Sequence, residues 1–90
     1  MTKQEKQKWI INYIKLHKYV DIFDEDFVDS YIQECEPSRI GYKIYGAHFV
    51  PELSRYLAEL YHQNILVRYT IGLSNSKDGY PKWCYSYNLK

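Results

Sequence analysis

Ninety residues with 46% hydrophobic content fit one domain, residues 1–90, and exclude both a second hydrophobic core and a disordered chain. A formal net charge of +1 and a pI near 7.7 exclude the overall basic signature that many nucleic-acid-binding domains carry. The charge is segregated all the same: residues 1–18 total +4, residues 19–36 total −7 without one base, and residues 37–90 total +4.

The chain opens on Thr2-x-x-Glu5, a capping box that satisfies two backbone donors at a helix start. Trp9, Ile10, Tyr13, Ile14 and His17 then share one stripe, with Lys3, Lys6, Lys8, Lys15 and Lys18 mostly off it, so a helix is predicted from about Lys3 to His17. No apolar signal-like run opens the chain and no stretch reaches the length of a membrane span. The expectation is a soluble, cytoplasmic protein. Tyr19-Val20-Asp21-Ile22-Phe23 predicts one brief strand or an extended connector.

Asp24 is a plausible cap for a second helix, with Glu25 and Asp26 well placed in its first turn. Phe27, Val28, Tyr31, Ile32 and Cys35 form its buried stripe, and Pro37 stops it. The acids Asp24, Asp26, Asp29 and Glu34 read either as a solvated face or as a docking surface for a basic protein partner. Residues 38–50 hold Gly41 and Gly46 around an alternating centre. They admit an extended loop, an extra strand or a further helical turn.

A third helix, 51–63, begins at Pro51, where a missing N–H costs nothing, and buries Leu53, Leu57, Leu60 and Tyr61. Asn64 stands where a left-handed residue would end it. Ile65 to Ile71 is a strong strand pattern. Its partner is Lys82 to Leu89, with Trp83, Tyr85, Tyr87 and Leu89 on one face and Cys84, Ser86 and Asn88 on the other. The turn-forming run Ser74 to Gly79 joins the two as a long-looped hairpin.

Catalytic and metal chemistry have no carrier in these patterns. Cys35 and Cys84 form no disulfide framework and read as small buried thiols. His17, His48 and His62 lack metal-ligand spacing, and the Asp24 to Asp29 acids lack the glycine and terminal glutamate of a calcium loop. No nucleophile stands beside a base and its orienter. The expectation is no enzyme, no cofactor and no metal. The eleven tyrosines suit a wet core rim or a stacking surface, and Tyr42, Tyr45, Tyr80, Tyr85 and Tyr87 have no forced core position.

The run Leu57-Ala58-Glu59-Leu60-Tyr61-His62-Gln63-Asn64-Ile65-Leu66-Val67-Arg68-Tyr69 resembles the junction of recognition helix and wing in winged-helix DNA-binding domains. Gly79-Tyr80-Pro81-Lys82-Trp83-Cys84-Tyr85-Ser86-Tyr87 is similar to the returning strand of small winged-helix proteins from Gram-positive phages and mobile elements. The front half matches by element order, although about a dozen residues part the second and third helices where a helix-turn-helix has three or four. The resemblance implies an α+β winged helix: a three-helix bundle followed by a two-stranded antiparallel hairpin.

It further implies a regulator, or a replication or maintenance accessory, that binds double-stranded DNA and dimerises through the lysine-bearing first helix. The third helix would enter the major groove and the wing, 72–82, would lie on the backbone. The implied contacts are Arg39, Tyr42, Lys43, His48, Ser54, Arg55, His62, Ser74, Asn75, Lys77 and Lys82. Of these, Arg55 could grip guanine or instead pair with Glu52 or Glu59 at helical spacing. Two alternatives are a winged helix that holds a protein, such as a phage inhibitor of a host factor, and a single-strand binder that stacks bases on tyrosine.

Overall fold

The computed structural model describes residues 1–73 and 81–90. Helix α1 (Lys3–His17) starts as its capping box dictates: the Thr2 hydroxyl accepts from the Glu5 N–H at 3.2 Å, and the Glu5 carboxylate accepts from the Thr2 N–H at 3.1 Å. Ile10 and Ile14 carry its buried stripe, while Trp9 and Tyr13 lie half-buried at its margin. Strand β1 (Tyr19–Val20) is shorter than the five-residue strand pattern. The Asp21 carboxylate accepts the Phe23 N–H at 2.8 Å, and the Asp24 N–H bonds to the Asp21 carbonyl at 3.2 Å. This local turn outcompetes a strand ladder.

Asp24 caps α2 (Glu25–Cys35) through the Phe27 N–H, and Glu36 ends the helix at φ 48°. Phe27, Val28, Tyr31 and Cys35 are buried, as their spacing requires. Residues 38–50 form an additional hairpin, β2 (Lys43–Ile44) with β3 (Ala47–His48), which makes a separate two-stranded sheet between α2 and α3. Tyr45 at φ 51° and Gly46 at φ 87° supply its turn, because a tight hairpin whose twist matches its strands needs positive φ at both central residues. Helix α3 (Pro51–His62) follows directly and buries Leu53, Tyr56, Leu57 and Leu60, whereas Tyr61, expected in the buried stripe, is only half-buried against the core. Asn64, at φ 63°, takes the left-handed conformation that turns the chain into β4 (Leu66–Gly72).

Strand β5 (Trp83–Leu89) returns antiparallel to β4, pairing Leu66 with Leu89 and Gly72 with Trp83 at the two ends. Its other side takes β1, with Val20 opposite Tyr87. The main sheet therefore has three strands in the order β1-β5-β4 rather than the expected two, and the molecule is α+β with three helices and small antiparallel sheets. One hydrophobic cluster unites Ile10, Ile14, Val20, Phe27, Val28, Tyr31, Leu53, Leu57, Leu60, Leu66 and Tyr87. Each large side chain fully buried there contributes roughly 1.5–3 kcal/mol relative to exposure. Among the described residues no helix is long and apolar enough to cross a membrane.

Candidate nucleic-acid interface

Helix α3 displays Arg55 and His62 seven residues apart, two turns along one exposed face. Arg55 makes no ion pair among the described residues; its guanidinium carbon lies 5.4 Å from the Tyr56 ring centre. The two acids that could have claimed it are engaged elsewhere. Glu59 meets Lys3 Nζ at 2.7 Å and accepts from Gln7 Nε2 at 3.1 Å, both from α1.

Glu52 departs furthest from the helical-wheel expectation. Taken as a residue off the buried stripe, it is only 7% exposed. Its carboxylate accepts from Lys6 Nζ at 2.8 Å, Tyr31 Oη at 2.6 Å, the Ser38 N–H at 3.3 Å and Ser38 Oγ at 3.4 Å. Burial pushes this carboxyl up, but the donated hydrogen bonds and the Lys6 charge outweigh it and hold the group below its ordinary value. The same burial, with Glu52 alongside, drives the Tyr31 hydroxyl far above the usual tyrosine range. No signal in the sequence reports this hub, because its members lie on α1, α2, α3 and the segment after α2.

The β2–β3 hairpin leads straight into α3, held by the Gly41 N–H to the Phe49 carbonyl at 2.6 Å and the Phe49 N–H to the Tyr42 carbonyl at 2.8 Å. Arg39, Tyr42 and Lys43 are exposed along it, with the Tyr42 ring stacked on Phe49 at 5.7 Å. Lys82 is exposed where β5 begins, and its carbonyl accepts the Leu73 N–H at 2.8 Å. Ser74, Asn75 and Lys77 lie outside the described residues.

Two implied contact residues are not on an open α3 face. His48 belongs to β3, where its Nδ1 is enclosed 3.8 Å from the Asp29 carboxylate of α2. Ser54 Oγ is closed off from solvent and has no hydrogen-bond partner among the described residues, so it does not face a base edge. The tyrosines also sort differently from expectation. Tyr87 is buried, Tyr45 donates to the Pro81 carbonyl at 2.9 Å, and Tyr85 holds Arg68 at 4.1 Å, which leaves Tyr42 widely exposed. Tyr80 lies outside the described residues.

On the acidic side, Glu25, Asp26 and Asp29 are exposed and Asp24 is spent on its cap. Glu34 accepts from Trp9 Nε1 at 2.9 Å, which ties it to α1. No group of three or more potential metal ligands occurs among the described residues. Comparison with protein-family models, curated proteins and solved structures finds no match for this chain.

Proposed function

We propose that this chain is a winged-helix protein that binds double-stranded DNA through Arg55 and His62 of α3, with Arg39, Tyr42, Lys43 and Lys82 on flanking backbone. The observation that carries the reading is the disposition of charge on α3. Its two acids, Glu52 and Glu59, turn toward α1 and are met by Lys6 and Lys3, so among the described residues Arg55 on the exposed face makes no ion pair. An acid left facing a phosphate would oppose binding; neutralised acids do not. Three helices with a closing antiparallel hairpin after the third support the reading at the level of its α+β class. The departure is the β2–β3 hairpin between the second and third helices, which presents its own bases beside the start of α3.

Selection of bound sequences from a random duplex library tests the proposal. The selected duplex should lose affinity steeply as salt rises, and Arg55→Ala should weaken it by about 1–3 kcal/mol while relaxing preference at one base pair. Undetectable or salt-insensitive binding would remove the reading. One observation favours a second reading, docking of a basic protein: Glu25, Asp26 and Asp29 stay exposed on α2. Charge reversal at Asp26 and Asp29 that abolishes function, with Arg55→Ala harmless, would select it.

A further inference from the structure

The main sheet has two unlike edges. At one, β1 is two residues long and the chain turns away at Asp21, a short and acid-flanked edge of the kind that resists pairing. At the other, β4 runs for seven residues, and β5 and α3 are the elements packed most closely against it. Its sequence, Leu66-Val67-Arg68-Tyr69-Thr70-Ile71-Gly72, contains no proline, lysine or acid. Of the devices that blunt a long edge, the strand itself carries one, the inward-pointing charge of Arg68.

The single charge on β4 is already accommodated within its own chain. Arg68 points to the helix-bearing face, where its guanidinium lies 3.9 Å from the Tyr61 ring centre and 4.1 Å from that of Tyr85. The opposite face carries Val67, Tyr69 and Ile71 in one row, with Tyr19 across the sheet beside Asn88. Tyr69 is 59% exposed and Tyr19 60%.

From this edge we infer that β4 is a dimerisation strand whose partner is a second copy of this chain. The strand is complementary to itself. A two-fold axis through Tyr69 sets Tyr69 against its own counterpart, Val67 against Ile71, Arg68 against Thr70 and Leu66 against Gly72. All seven residues pair, over about 23 Å of strand. Aromatic and β-branched residues then face one another across the join, the pairings that favour antiparallel strands, and no like charges stand directly opposite. The resulting six-stranded sheet consumes the long edge of both copies and ends on a two-residue β1 at each side. Growth stops at two, which a strand from an unrelated protein would not require. The inference stands apart from the DNA reading and moves dimerisation away from α1, whose Lys3 and Lys6 are committed to α3.

Light scattering of the full chain across micromolar concentrations should report a dimer of the 10.9 kDa protomer. Tyr69→Lys places like charges on the axis and should weaken dimerisation about tenfold or more, with an unchanged circular-dichroism spectrum. Tyr69→Cys supplies a second readout that does not need that variant to fold. Directly opposed residues have Cα atoms about 4.5–5.5 Å apart, inside the span of a disulfide. Mild oxidation should therefore crosslink Tyr69→Cys and leave Tyr19→Cys unlinked, since native Cys35 and Cys84 are buried. A monomer at every concentration would overturn the inference. So would a dimer that persists in Tyr69→Lys, or one in which Tyr69→Cys fails to crosslink.

Discussion

At Glu52 four donors converge on one carboxylate, and counting helical positions cannot reveal them. A carboxylate so enclosed is tolerable only because each donor replaces lost water. Glu52→Ala would strand Lys6 and the Tyr31 hydroxyl, and should destabilise the fold by about 3–5 kcal/mol in urea unfolding. The pH dependence follows from the same geometry. Because Glu52 sits below its ordinary value of 4.5 when folded, its contribution is present at neutral pH and is lost as pH falls below that value. Thermal midpoints measured from pH 7 downward should show this acid loss shrinking in Lys6→Met, where burial of Glu52 is no longer opposed by the ammonium. Ser54 makes the opposite case. Among the described residues its enclosed hydroxyl has no partner, so Ser54→Ala should be neutral or stabilising by up to about 1 kcal/mol, and should leave affinity for the selected duplex unchanged in a binding titration.

The helices were readable because their determinants are local. Thr2 with Glu5, Asp24, Pro51 and Asn64 each act within a few residues of themselves, and all four stand where such residues start or end a helix. The β2–β3 hairpin was one of several options for residues 38–50 because its turn lacks the usual sequence. Short polar residues ordinarily take the first positive-φ place, and here it is Tyr45. Its hydroxyl on the Pro81 carbonyl and its ring 5.3 Å from Phe23 hold a conformation that its neighbours in sequence do not favour. Gly46 carries the other half of the turn. Gly46→Ala should cost about 1–2 kcal/mol in chemical denaturation, since the residue would be strained at φ 87° and its new methyl would lie 3.4 Å from Glu25 Oε2.

Across the whole molecule, α1 and α3 are joined by ion pairs as well as by the core, and β4 is joined to α3 by Arg68 between Tyr61 and Tyr85. Stacking of a planar guanidinium between two rings is worth about 1–2 kcal/mol when partly desolvated. Arg68→Ala should lower the thermal midpoint accordingly, and Arg68→Lys should recover little, because an ammonium cannot stack. The amino-acid order alone determined three helices, the caps at Thr2 and Asp24, the centre of each buried stripe, and a closing hairpin, since each depends on residues within a few turns or on strict alternation. His17 at the end of the first stripe is exposed, and Tyr56 is buried in place of Tyr61. Tertiary structure alone decided which charges remain for a partner. It buried Glu52, tied the partly exposed Glu59 to Lys3 and Gln7, drew His48 into β3 beside Asp29 and enclosed the Ser54 hydroxyl. The reason is distance along the chain: Lys6 and Glu52 are 46 residues apart, and only packing of α1 against α3 brings a charge and its counter-charge into hydrogen-bond range.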